Sequence, residues 1–194
     1  EGGRFGYGQD FANPYVVSQQ DGTVVGAGEF LNSQHPINTQ DDVLAYISRL
    51  EQYAGALDGE TERMAEAATK GVIPPDFLLA TALDQVRELR SAKAAETGLV
   101  RSVADRAAAK GLASHADHAA MIVEGKVFPA LDRQIAGLEA LKAKATHDAG
   151  VWKFPDGADY YRWALKYGTT TDRAPDEIHK LGLEQGAAID AEMD

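Results

Sequence analysis

Apolar side chains recur at three- and four-residue steps through most of this chain, a period that predicts α-helix. Val43, Ile47, Leu50 and Ala54 mark a helix over about residues 40–56. Thr39 is placed to cap it, and Asp42 lies where an acid suits the positive helix N-terminus. Asp58 restarts a second helix through Met64, Ala67 and Ala68. Gly71 closes that helix as a left-handed cap before an extended Val72-Ile-Pro-Pro75 connector. Phe77, Leu78, Ala82, Leu83, Val86 and Leu89 predict a third, with Pro75 suited to its first position. Thr97 caps a shorter one through Val100, Val103 and Ala107, and Gly111 ends it. The longest predicted helix opens at Ser114 and Asp117 and runs to about Ala145, with Pro129 placed to kink it. A short helix over about 158–167 and a last one begun by Pro175 complete the series.

Residues 1–38 lack that period. Tyr15-Val-Val17 and Thr23-Val-Val25 lie on either side of Asp21-Gly22, a preferred turn pair, and predict a short β hairpin. Pro36 then holds His35 in an extended conformation. The expected fold is all-α: an array of about seven helices over residues 39–194, behind an irregular segment, residues 1–38, that carries a short N-terminal hairpin. No internal repeat of fixed period is visible.

Composition narrows the partners more than the fold. With 30 acidic against 19 basic residues and a net charge of −11, the chain repels phosphate backbones, which argues against nucleic acid as a partner. No window approaches the ~18 unbroken apolar residues that a membrane span needs. Zero cysteines leave no disulfide, no thiolate metal ligand and no Cys nucleophile, a composition that fits an exported or a cytoplasmic protein equally. The chain opens at Glu1-Gly-Gly-Arg and ends in an uncapped pattern of Ile178, Leu181, Leu183, Ile189 and Met193, so both ends read as cuts in a longer polypeptide.

No complete catalytic constellation stands out. Zinc peptidases of the commonest kind need His-Glu-x-x-His, and none of the five histidines precedes a Glu. His115 and His118 share a helix face and could hold a metal with Asp117 or a distant carboxylate as third ligand, although exposed first-turn histidines are ordinarily just solvated. His179 reads as a helix-surface side chain. His35, before Pro36, is either a binding residue held by extended backbone or an ordinary loop side chain. Tyr160, Tyr161 and Trp163 cannot all face one side of a helix, because successive residues are about 100° apart. A tyrosine left outside the core could offer its hydroxyl to a substrate, although aromatic residues commonly fill helix seams. The glycines at positions 2, 3, 6 and 8 match no phosphate-binding pattern.

Several blocks together carry a family likeness: Pro14-Tyr-Val-Val-Ser-Gln-Gln-Asp-Gly22, His35-Pro-Ile37, Pro74-Pro75 with Phe77-Leu78, and Val127-Phe-Pro-Ala-Leu131. To these belong Phe154-Pro-Asp-Gly-Ala158 with Tyr160-Tyr161, Thr169-Thr-Thr171, and Pro175-Asp-Glu-Ile-His179. In them the chain resembles the bacterial group called domain of unknown function 885, over nearly its whole length. That family is similar to helical zinc peptidases of the thimet oligopeptidase and angiotensin-converting type, whose His-Glu metal motif lies further towards the C-terminus. The resemblance implies a hydrolase acting on peptides, with zinc and the general base supplied by the C-terminal remainder of the polypeptide. No catalytic and no metal-ligating residue is then expected in these 194 residues. His35, Tyr160 and Tyr161 are the expected substrate contacts. Ala174 departs from the family's usual Ser or Thr before Pro-Asp-Glu-Ile-His, so a hydroxyl cap is missing there. The competing expectation is an inert helical binding or scaffold module with an aromatic-lined groove for a peptide or partner helix.

Overall fold

The organising element is a helix of 30 residues, α2, Gln40–Thr69, and the computed structural model, which describes residues 13–193, shows why it forms. Thr39 Oγ1 accepts the amide of Asp42, and the Asp42 carboxylate accepts the amides of Asn38 and Thr39, a reciprocal capping box. Those amide donors hold the Asp42 carboxyl below its ordinary range. Along α2 the buried positions are Val43, Tyr46, Ile47, Leu50, Tyr53, Ala54, Leu57, Glu60, Met64 and Ala67, a single stripe of three- and four-residue steps. The break expected between residues 56 and 58 is absent. Gly55 and Gly59 lie off the buried stripe, so they lower helix propensity without interrupting the packing that holds the helix.

Ahead of α2 come α1, Thr23–Glu29, and a π turn, Phe30–Gln34. After it come α3, Asp76–Ser91, and α4, Gly98–Ala108. Then α5, Ala116–Ile122, runs through a π turn, Val123–Val127, into α6, Phe128–Lys142. The last helices are α7, Gly157–Thr169, and α8, Pro175–Met193. Counting α5 and α6 as one continuous run, the described residues hold seven α-helical runs and no strand.

The chain divides into two compact units, one of residues 15–149 with α1 to α6, the other containing residues 150–193 with α7 and α8. In the first, α2 and α3 both pack on α6, and α4 packs against α5 and the first π turn. Leu50, Leu57, Leu79, Leu83, Leu131 and Leu138 are fully buried there. Each contributes about 2 kcal/mol of burial free energy.

The predicted N-terminal hairpin is not formed: Thr23-Val-Val25 opens α1 instead. Ser18 Oγ accepts the amides of Gln20 and Asp21, each at 3.1 Å, and bends the chain into a turn. Gly22, at φ 125°, carries it into the helix with a backbone angle that side-chain-bearing residues avoid. Glu60 of α2 then takes the Thr23 amide at 2.7 Å and the Thr23 hydroxyl at 3.0 Å. A carboxylate 37 residues away thus does what an N-cap side chain ordinarily does, and it outweighs the strand preference of two valines.

The helix ends follow the glycines. Beyond α2 the Val72 amide reaches Ala67 O and Gly71 reaches Ala68 O, and beyond α4 Leu112 and Gly111 repeat the pattern on Ala107 and Ala108. Gly71 and Gly111 have φ of 80° and 68°, the left-handed cap expected of both. The helix around Pro129 bends differently from a simple kink. The amide of Phe128 reaches back five residues to Val123 O, and the π turn absorbs the disruption that Pro129 imposes on the α ladder.

Candidate functional site

Two buried polar centres lie in the 15–149 unit. The first is His35, only 1% exposed, at the end of the Phe30–Gln34 turn. Its Nε2 lies 2.9 Å from Asp42 O and its Nδ1 is 2.8 Å from Arg49 Nη1. Arg49 can only donate, so Nδ1 accepts and Nε2–H donates, the neutral tautomer. Tyr46 and Phe30 meet the ring edge-on, at 5.4 and 6.1 Å between centroids. From α4, Arg106 donates to the carbonyls of Leu31, Asn32 and His35 and to Ser102 Oγ. Leu31 and Asn32 lie in the π turn and His35 just beyond it, so Arg106, together with Ser102 Oγ donating to Asn32 O, ties the end of the turn to α4. Both nitrogens of His35 are engaged and its ring is enclosed among the described residues.

Glu60 is the second centre. It is wholly buried, and it accepts from Thr23 through Oε1 and from Gln134 Nε2 of α6 at 2.7 Å through Oε2. Burial pushes its carboxyl above the ordinary value, and the hydrogen bonds from Thr23 and Gln134, with the charge of Arg63, pull partly back. Gln134 is also wholly buried, and its Oε1 has no donor within reach. Sequence reasoning passed over both residues. The available signal was their register: Glu60 sits on the α2 stripe between Leu57 and Met64, and Gln134 on the α6 stripe between Leu131 and Leu138.

Between α2 and α6 lies an apolar groove of about 240 Å³ lined by Thr61, Met64, Ala65, Gly137, Ala140 and Lys144. Lys144 is the single ionisable group on its wall, which gives the groove little means of acid–base work.

The 150–193 unit presents aromatic surface. Gly157 begins α7, and a Cβ there would stand 1.9 Å from Val151 O, so the Pro155-Asp156-Gly157 turn admits no side chain at its last position. On α7, Tyr160, Trp163 and Tyr167 share one face. Tyr160 and Trp163 are 6.0 Å apart, and Trp163 and Tyr167 stack at 5.8 Å and 24°. The column runs from a buried Tyr160, 2% exposed, to an open Tyr167, 55% exposed. Tyr161 points away from it and is 49% exposed, and Trp152 ahead of the helix is 76% exposed. Of the three expected contact residues, His35 belongs to one unit and Tyr160 and Tyr161 to the other, and Tyr161 alone has open surface. Before α8, the amide of Ala174 donates to Glu177 Oε2 at 3.0 Å, half of a capping box made without the missing hydroxyl.

Among the described residues no three His, Asp or Glu side chains converge on a point where a metal ion could sit. His115 is the left-handed residue ahead of α5, and both it and His118 are exposed. No described helix is long and apolar enough to cross a membrane.

The chain was compared with known proteins. No curated protein matches it. The crystal structure of a protein from Colwellia psychrerythraea, provisionally called a lipoprotein, superposes on 95% of this chain with a TM-score of 0.85 and 24% identity. That likeness shows a shared helical fold, and it takes in 33% of the other chain, so the present chain spans about a third of that protein's length. Residues 4–194 match the profile described as bacterial protein of unknown function, DUF885. With nearly every residue inside that match, the chain belongs to the bacterial DUF885 family.

Proposed function

We propose that this chain is the substrate-cleft segment of a larger zinc-dependent peptidase, whose metal and general base lie elsewhere in the polypeptide. The reading is supported by the superposition of the chain on a third of a longer protein, and it extends the expectation, drawn from the family resemblance alone, of a His-Glu metal motif beyond the C-terminal end. The described residues do not themselves fit a zinc site, so no step on the metal is assigned to them. Their part is to hold a peptide in place.

The observation that carries the proposal is the open aromatic surface of α7 and its approach, where Trp152, Tyr161 and Tyr167 face solvent while Tyr160 and Phe154 are buried. A half-exposed tyrosine offers a ring to an apolar side chain and a hydroxyl to a peptide carbonyl or amide. In this reading Tyr161 is the contact residue. Tyr160 sets the position of α7 from within, and His35 is a positioning residue of its own unit, through the turn it closes.

The test uses the full-length protein. Metal analysis is expected to find about one zinc per chain, as in catalytic sites of this type, with peptide hydrolysis abolished by a chelator. Tyr161→Ala is expected to raise KM far more than it lowers kcat, and Tyr161→Phe separates the hydroxyl from the ring. Absence of both zinc and hydrolysis, with tight peptide binding retained, would replace the proposal with the inert binding module.

A further inference from the structure

Gln134 and Glu60 meet end to end inside the 15–149 unit, each wholly buried, and the two ends of the Gln134 amide have different fates. A carboxylate only accepts hydrogen bonds, so Glu60 Oε2 faces the NH2 end and takes Nε2 at 2.7 Å. The carbonyl end is thereby turned away. Its Oε1 has no donor among the described residues. Folded proteins seldom leave a buried amide oxygen in that condition, and where side chains and backbone do not reach it, an ordered water ordinarily does.

The space for such a water is at hand. Gln134 and Glu60 line a cavity of about 10 Å³ whose other walls come from the turn into α1, with Asp21 and Gly22, and from α3, with Ala82 and Gln85. That is about one water-sized sphere, so the cavity fits a single water and excludes any organic ligand. The polar groups around it mostly accept. Ser18 Oγ donates its proton to Asp21 Oδ2 at 2.9 Å, Gln85 Nε2 donates to Gln19 O at 3.0 Å, and Glu60 and Asp21 both bring carboxylates. An occupant must therefore donate, and a water can donate twice. We propose that this cavity binds one ordered water, which gives one hydrogen to Gln134 Oε1 and the other to the Glu60 carboxylate. It joins α2 to α6 a second time, beside the turn where Glu60 caps α1. Such a site is independent of the proposed cleft and of zinc.

A crystal structure of the full-length protein is expected to show one peak of density about 2.7–3.2 Å from Gln134 Oε1. No peak there overturns the proposal, and so does one with contacts of about 2.3–2.6 Å, the range of a bound metal cation. Stability gives a second readout. Val86 also lines the cavity, and Val86→Ile adds one carbon to that wall. With the water displaced and Oε1 left without a donor, the melting temperature of Val86→Ile is expected to fall by several degrees. In a Gln134→Met background, where no acceptor is left to strand, the same change is expected to leave the melting temperature level or raise it. Glu60 loses its amide donor in both members of that comparison, so this loss cancels. An equal fall in both backgrounds would make the added carbon simple overpacking, and a level or raised melting temperature in the parent would make the cavity dry; either result overturns the proposal.

Discussion

The two units of this chain make opposite use of helix. Between Tyr15 and Ala149 each helix from α2 to α6 buries an apolar stripe, and even a carboxylate, an amide and an imidazole are taken inside and bonded. From Gly150 onward, α7 buries Gly157 and Tyr160 and α8 buries nothing. In the first unit stability is a property of side chains meeting across helices; in the second it comes from local capping and from whatever the exposed faces meet. The same substitution should therefore cost very different amounts in the two regions.

The largest contrast is expected for Leu131→Ala in α6, wholly buried against α2 and α3: about 3 kcal/mol lost in urea denaturation, from transfer and cavity together. A loss under about 1 kcal/mol would mean that the core collapses around the gap and the contrast is overstated. Arg106→Ala comes next, at about 2 kcal/mol, because it strips a charged donor from three carbonyls of one turn. Lysine at that position should restore only part of the loss, since it cannot fork.

Glu60→Gln sharpens the comparison through pH. Burial raises the folded carboxyl above its ordinary 4.5, so the folded state keeps that proton to a higher pH than the unfolded chain does. Parent stability relative to the glutamine variant should be greatest below pH 4.5 and fall as pH climbs to the raised folded value, then level off. A difference that grows with pH would show that the hydrogen bonds from Thr23 and Gln134 outweigh burial. The smallest effect belongs to Leu183→Ala, exposed on the polar side of α8, with a change within about 0.5 kcal/mol.

Much of this architecture is legible in the chain itself, and the exceptions have a common cause. The Thr39 and Asp42 capping box, the Gly71 and Gly111 caps and the start of α8 at Pro175 are local, fixed by residues within one turn of each other. The segment around Thr23 misleads because its deciding partner, Glu60, is 37 residues away, and β-branched residues follow whichever backbone is capped for them. The long helix α2 reads as two pieces because Asp58 looks like a fresh helix start, whereas the continuous stripe from Val43 to Ala67 decides. Among the candidate contact residues, sequence gives aromatic and imidazole chemistry but not exposure. Adjacent Tyr160 and Tyr161 look alike in the chain, and about 100° of helix rotation makes one a core residue and the other a surface one.

The π turn at Val123–Val127 holds one residue more than an α-helix would use for the same advance. Straightening those five residues into α-helix with none removed would turn everything downstream by about 100° about its axis. Leu131, Gln134 and Leu138 would rotate out of the interior together, and Glu60 would lose the amide opposite it. This bulge therefore works as a phase setting for α6, and a homologous chain one residue shorter here should run as plain α-helix through the same region with its downstream faces unchanged.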